Sequence, residues 1–193
     1  DYHSHLGTRR AGMIIHDEQD GFQRQIHSID STPFRTKFEK DLIKFHGNMG
    51  IGCISDADPQ PLMFRSHNGV YAISCIGVIN NADALVDEYC EKTGHQFMAM
   101  SSGKVNMVDL LAALINEKKD FREGILYAQE KIKGSATILI MTEDRLIAAR
   151  DSLGRLPVLI GKHEVDGYCV SFESFAYLKQ GYDDCYELGP GEI

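Results

Sequence analysis

The sequence contains no apolar run approaching the ~20 residues that cross a bilayer, and no signal-peptide pattern. No membrane partner is therefore expected. Internal repeats, low-complexity tracts and linker-like stretches are also missing. Cations are in the minority: 20 Lys and Arg stand against 28 Asp and Glu, for a net charge of −8. That balance argues against nucleic acid as a partner, because phosphate-backbone binding draws on clustered Lys and Arg. The cysteines (Cys53, Cys75, Cys90, Cys169 and Cys185) are five, an odd number, and none falls in a C-x-x-C pair. Neither a disulfide framework nor a zinc site is indicated, and a reducing cytoplasm is the expected setting.

What is present suits one soluble domain: 193 residues, 43% hydrophobic and 25% charged. The chain opens on Asp1 rather than Met and closes on Pro190-Gly191-Glu192-Ile193, so excision from a longer protein is expected. Short strands are expected at Met13–Ile15, Gly21–Ile29 and Ile51–Ile54, with a short helix from Phe38 to Phe45 ended by Gly47. Two apolar runs flank His67-Asn68-Gly69, and an Asn-Gly step there signals a hairpin turn. Asn80 or Asn81 is placed to cap one helix and Asn106 another. Asp120 and Glu123 form a capping-box pattern before a third, which Gly134 stops. Strand periodicity returns over 137–141, 146–149, 158–160 and 168–171. Strands, then helices, then antiparallel strands indicate an α+β fold.

The second half carries the most specific pattern. Ala149-Arg150-Asp151, Gly154, Pro157 and Gly161 follow the spacing A-R-D-x-x-G-x-x-P-x-x-x-G, with Phe172-Glu173-Ser174 after the next strand and Pro190-Gly191-Glu192 at the end. His5-Leu6-Gly7 leads to Ala11-Gly12-Met13. Ile51-Gly52 opens another motif, and Cys75-Ile76-Gly77 precedes Asn81 and Leu85 in frame. Over nearly the whole chain this resembles class II glutamine amidotransferases, and within them the glutaminase domain of amidophosphoribosyltransferases. The resemblance implies a four-layer α-β-β-α sandwich of two stacked antiparallel sheets, the N-terminal-nucleophile hydrolase fold. It also implies an N-terminal cysteine that attacks the glutamine amide, with its own α-amino group as base. A glycine N–H and an asparagine hold the oxyanion. An arginine binds the glutamine carboxylate, an aspartate binds its amino group, and ammonia passes to a second domain.

Carried over position by position, most of those groups are changed. No N-terminal cysteine is present. The carboxylate-binding arginine falls on Ser55, which offers no bidentate cation. The oxyanion asparagine falls on Ile76, leaving only the N–H of Gly77. The amine-binding aspartate falls on Asn106, and Leu6 stands where the family has another arginine. The loop after Ser55 is shorter than in active relatives. His67-Asn68-Gly69 spells the oxyanion motif but lacks its strand-then-helix context, so it is assigned to the turn. Arg9 and Arg10 are possible compensating cations. His3 and His5 lack a third metal ligand, and no metal or cofactor is expected. Cys75 is read as a buried small hydrophobe, Glu173 as a buried, satisfied carboxylate, and Arg150 with Asp151 as an ion pair bracing a turn.

The expectation is a glutaminase domain degenerate for glutamine hydrolysis. It would serve a structural or regulatory role toward a phosphoribosyltransferase-like domain or subunit. The alternatives are an active glutaminase whose nucleophile lies outside this sequence, and a sensor binding glutamine or a related small molecule in the old pocket. A homo-oligomer stays open.

Overall fold

The computed structural model describes residues 7–101 and 103–193. The readings on His3, His5 and Leu6 lie outside the described residues. The chain runs β1 (Arg10–Asp17), β2 (Gly21–Ser28), α1 (Phe34–Lys44), β3 (Met49–Ser55), β4 (Leu62–Ser66), β5 (Gly69–Ile79) and α2 (Ala82–Thr93). It continues with β6 (Met100–Ser101), β7 (Lys104–Val105), α3 (Met107–Ile115), α4 (Phe121–Lys131), β8 (Gly134–Met141) and β9 (Leu146–Ala149). It ends with β10 (Leu159–His163), β11 (Gly167–Ser171), α5 (Phe175–Leu178) and β12 (Asp183–Glu187).

The layering follows from alternation along β5. Successive strand side chains point to opposite faces. Tyr71, Ile73 and Cys75 enter a core with Val108, Leu111 and Leu114 of α3 and Ile125 of α4. Ala72 points the other way, into a second core with Ile14 of β1, Ile51 of β3 and Met141 of β8. Burial of each such aliphatic side chain contributes roughly 1.5–3 kcal/mol, so β5 is held from both sides. Its sheet is antiparallel, in the order β4-β5-β8-β9. The sheet β2-β1-β3 stacks on it, and α1 covers that sheet's outer face through Phe38, whose ring meets His27 of β2 edge-on at 4.7 Å. Helices, sheet, sheet and helix give the α-β-β-α order that the resemblance implies. A third sheet, β11-β10-β12, stands apart from β2-β1-β3. Among the described residues, β3 pairs only with β1 and β11 only with β10, so each has one open edge.

Local details depart from the sequence reading. Ser66 pairs with Gly69, so the hairpin loop is His67-Asn68 and the positive φ of +89° belongs to the first residue of β5. His67 Nε2 lies 2.8 Å from the carbonyl of Lys118, which ties this loop to the α3–α4 connection. Helix α1 starts at Phe34, earlier than expected, because Phe34 stacks on Phe38 one turn on, at 4.4 Å. It ends at Lys44, not at Gly47. Asn81 precedes α2 without a side-chain cap; its amide instead bridges the carbonyl of Lys131 and the N–H of Lys133. Asn106 and Asp120 do cap, accepting from the N–H of Val108 and of Glu123.

The Arg150–Asp151 ion pair is also corrected. Arg150 donates to the carbonyls of Leu156 and Gly154 and pairs with Glu187 at 3.0 Å. Asp151, 2% exposed, accepts the N–H groups of Leu153 and Arg155. The two side chains brace different parts of the same turn. Backbone bonds Arg150 N–H to Glu192 and Gly191 N–H to Asp151 fasten the last residues here, and Ile193 packs against the larger core.

Candidate functional site

The end of β3, the loop after it, the middle of β5 and the start of α3 converge at one end of the sandwich. Residues 156–157 and 172–173 close a cavity of about 580 Å³ there. A second cavity of about 300 Å³ adjoins it, sharing Ile54, Cys75, Ile76 and Phe172. This second cavity lies between Gly52 and Cys53 of β3 and Val170 and Ser171 of β11, both edge strands of their sheets.

Strand register sets the positions. Ser55 stands opposite Arg10 on β1, while Ile76 and Gly77 stand opposite Thr137 and Ala136 on β8. A Cβ on Gly77 would lie 2.0 Å from the carbonyl oxygen of Ser135, so only glycine fits this crossing. Gln60, buried behind the loop, accepts the N–H of Cys75 through Oε1 at 2.9 Å. Asp58 Oδ2 accepts the N–H of Met107 at 3.0 Å, in the first turn of α3. Asp56 Oδ1 accepts the N–H groups of Thr8 and Arg9, and the Thr8 bond above all holds its carboxyl below the usual value of 3.8.

Ser55, Ile76 and Gly77 come together on the wall of the larger cavity. Asn106 does not line it. Asn106 is 3% exposed, and its amide is engaged on both sides, by the Val108 N–H at 2.8 Å and the Pro59 carbonyl at 3.0 Å. Neither Arg9 nor Arg10 lines either cavity. Glu173, half-buried, does line the larger one. Sequence reasoning passed over Asp56, Asp58 and Gln60. The available signal was an acidic run and a Pro directly after Ser55; the approach of that run to α3, some fifty residues on, is not written in it. Cys75 is buried and burial pushes its thiol up; Cys53 on the facing strand is pushed up to about 12 by the same cause. Both are buried thiols.

One group of possible metal ligands lies elsewhere. Asp17, Asp20 and His46 bring ligand atoms within 4.8 Å of one another at the β1–β2 turn. That turn is at the opposite end of β1 from Ser55, on the order of 20 Å away along the strand. Asp20 and His46 already pair with each other, and Asp17 accepts two backbone N–H groups.

A family model described as a glutamine amidotransferase domain matches residues 46–178, more than half of the chain. The chain belongs to the glutamine amidotransferase domain family. Amidophosphoribosyltransferase of Methanocaldococcus jannaschii is 34% identical to this amidotransferase domain over 98% of the chain and 41% of the relative. That of Bacillus subtilis is 30% identical over 98% of the chain and 40% of the relative. The solved glutamine phosphoribosylpyrophosphate amidotransferase of B. subtilis, complexed with ADP and GMP, superposes with a TM-score of 0.80 at 28% identity. It covers 97% of this chain and 40% of that one. A structure described as the allosteric regulatory enzyme of purine biosynthesis gives 0.81 at 28% identity, with 98% and 41% covered. The chain thus spans about two fifths of the length of the curated relatives it matches. The resemblance read from the motifs and the fold it implied are both borne out. Among the described residues, no helix is long and apolar enough to cross a membrane.

Proposed function

We propose that this amidotransferase domain does not hydrolyse glutamine by the family's route and instead serves as a structural or regulatory partner of a phosphoribosyltransferase-like domain. The observation that carries the reading is the wall of the larger cavity. It brings Ser55, Ile76 and Gly77 together, and no Lys, Arg, His or Asn is among the described residues lining it. A glutamine carboxylate would meet a hydroxyl in place of a guanidinium. An oxyanion would have the Gly77 N–H without an asparagine beside it, and losing one such donor costs roughly 10²–10³-fold in rate. Asn106 is neutral and already committed to α3 and Pro59. In this reading the parent protein transfers free ammonia to its phosphoribosyl substrate.

The test is ammonia release from L-glutamine by the full-length protein. The expected result is no release above a no-enzyme control, with ammonia-dependent transferase activity intact. Release that a cysteine-directed glutamine analogue blocks would overturn the reading.

A second reading, an active glutaminase whose cysteine lies on a segment outside this sequence, is favoured by one feature. The open edges of β3 and β11 flank the smaller cavity, which reaches Cys75 and Ile76, so an extended segment inserted there would arrive beside Gly77. The same ammonia measurement separates the two.

A further inference from the structure

The cavity at Ser55 has a charge character that the sequence motifs do not describe. Asp56, Asp58 and Glu173 contribute to its wall, and no Lys, Arg or His is among the described residues lining it. The remaining wall is largely apolar: Ile54, Ile76, Leu156 and Phe172. Two of the carboxylates are placed differently. Asp56 turns Oδ1 to the backbone of Thr8 and Arg9. Asp58 uses Oδ2 for the N–H of Met107, which orients the carboxylate at the first turn of α3 and leaves Oδ1 for a ligand. Asp58 thereby contacts the residue next to Asn106, bringing a carboxylate beside the committed, neutral amide of Asn106.

An aspartate is ionised at neutral pH, so this wall attracts an ammonium and repels a carboxylate. Arg10 faces Ser55 across the β1–β3 pair but does not line the cavity, so a ligand carboxylate finds no cation among the described residues lining it. We propose that the cavity binds a primary ammonium compound that lacks a carboxylate, its ammonium held by Asp58 and its body packed on Ile54, Ile76 and Phe172. The proposal deepens the preceding reading, because it rests on the same changed pocket and names the chemistry the pocket now suits.

Three probes resolve it by calorimetry on the full-length protein: L-glutaminamide, with an ammonium and a neutral amide; L-glutamine, with an ammonium and a carboxylate; and glutaramate, with a carboxylate alone. L-Glutaminamide is expected to bind, L-glutamine about tenfold more weakly or worse, and glutaramate not at all. Asp58→Asn keeps an oxygen for the Met107 N–H, so the fold is retained, and should weaken L-glutaminamide by about tenfold or more. Ser55→Arg should shift the preference toward L-glutamine. Unchanged thermal unfolding in both variants confirms that each is folded. L-Glutamine binding as tightly as L-glutaminamide, especially if Arg10→Ala abolishes it, overturns the proposal. So does a wild type that binds none of the probes, or an Asp58→Asn variant that binds like wild type. The ranking of probes is read from binding heats at the protein's own sites, while the catalytic reading stands or falls on ammonia release. Failure of either is therefore distinguishable from failure of the other.

Discussion

The side-chain oxygen of Gln60 accepts the backbone N–H of Cys75 at 2.9 Å, joining the loop after β3 to the strand that carries Ile76 and Gly77. Gln60 is only 4% exposed and Cys75 is buried, so the bond is made away from bulk solvent. Gln60→Ala leaves the Cys75 N–H buried and unsatisfied, and should cost about 1–3 kcal/mol. The urea midpoint of the variant reads this directly; a midpoint equal to wild type would mean that the loop does not depend on the bond.

Gly77→Ala should be more damaging. The added methyl would sit 2.0 Å from the Ser135 carbonyl oxygen and 2.7 Å from its carbon, both backbone atoms that cannot rotate away. Relief requires β5 and β8 to separate where Gly77 faces Ala136. A loss of about 3 kcal/mol or more is expected, with faster amide exchange at Ala136 and Thr137. Wild-type stability with changed ligand binding would instead make the glycine a purely functional requirement.

Acid should loosen the attachment of residues 8 and 9. The N–H of Thr8, and after it that of Arg9, holds the Asp56 carboxyl below its ordinary 3.8. A carboxyl depressed in the folded state adds stability that is fully present above the unfolded value. That stability is lost as pH falls through the folded value, here below 3.8. Asp56→Asn should therefore differ from wild type at pH 6 and converge with it as the solution is acidified toward pH 2–3. Equal differences in unfolding midpoint at both ends of that range would contradict the assignment.

Thiol reactivity should rank by burial. Cys185 is exposed, whereas Cys53 and Cys75 are buried with raised thiols. An aromatic disulfide reagent should give a fast phase that disappears in Cys185→Ser, and should reach Cys53 and Cys75 only after denaturation. A fast phase that Cys75→Ser removes would reveal a reactive thiol at the oxyanion motif.

The sheets were legible where a strand is a short continuous apolar run between turn residues, as along β8, and the family motifs located Ser55, Ile76 and Gly77 on one wall. Strand β12 was not legible, because all five of its residues are exposed and carry no alternation. Asn81 looked like a cap from its position alone; the carbonyl of Lys131 and N–H of Lys133, about fifty residues away, compete for the same amide. Arg150 and Asp151 were paired on paper because they are adjacent, yet each has partners fixed by the turn and by Glu187. Asp58 was missed for the same kind of reason. Its meaning depends on Met107, a contact made only when the loop after β3 closes over α3.

The fastening of the last residues has a mechanical consequence. Arg150 N–H holds the Glu192 carbonyl, Gly191 N–H holds that of Asp151, and Ile193 is seated against the main core. Residues 191–193 are therefore stiffly anchored to the domain. A push or twist applied at residue 193 is delivered to the end of β9, and through its ladder to β8. Thr137 and Leu139 of that strand form part of the smaller cavity's wall. Motion of a neighbouring body would thus be transmitted into the pocket region as displacement of a strand, with little taken up as slack.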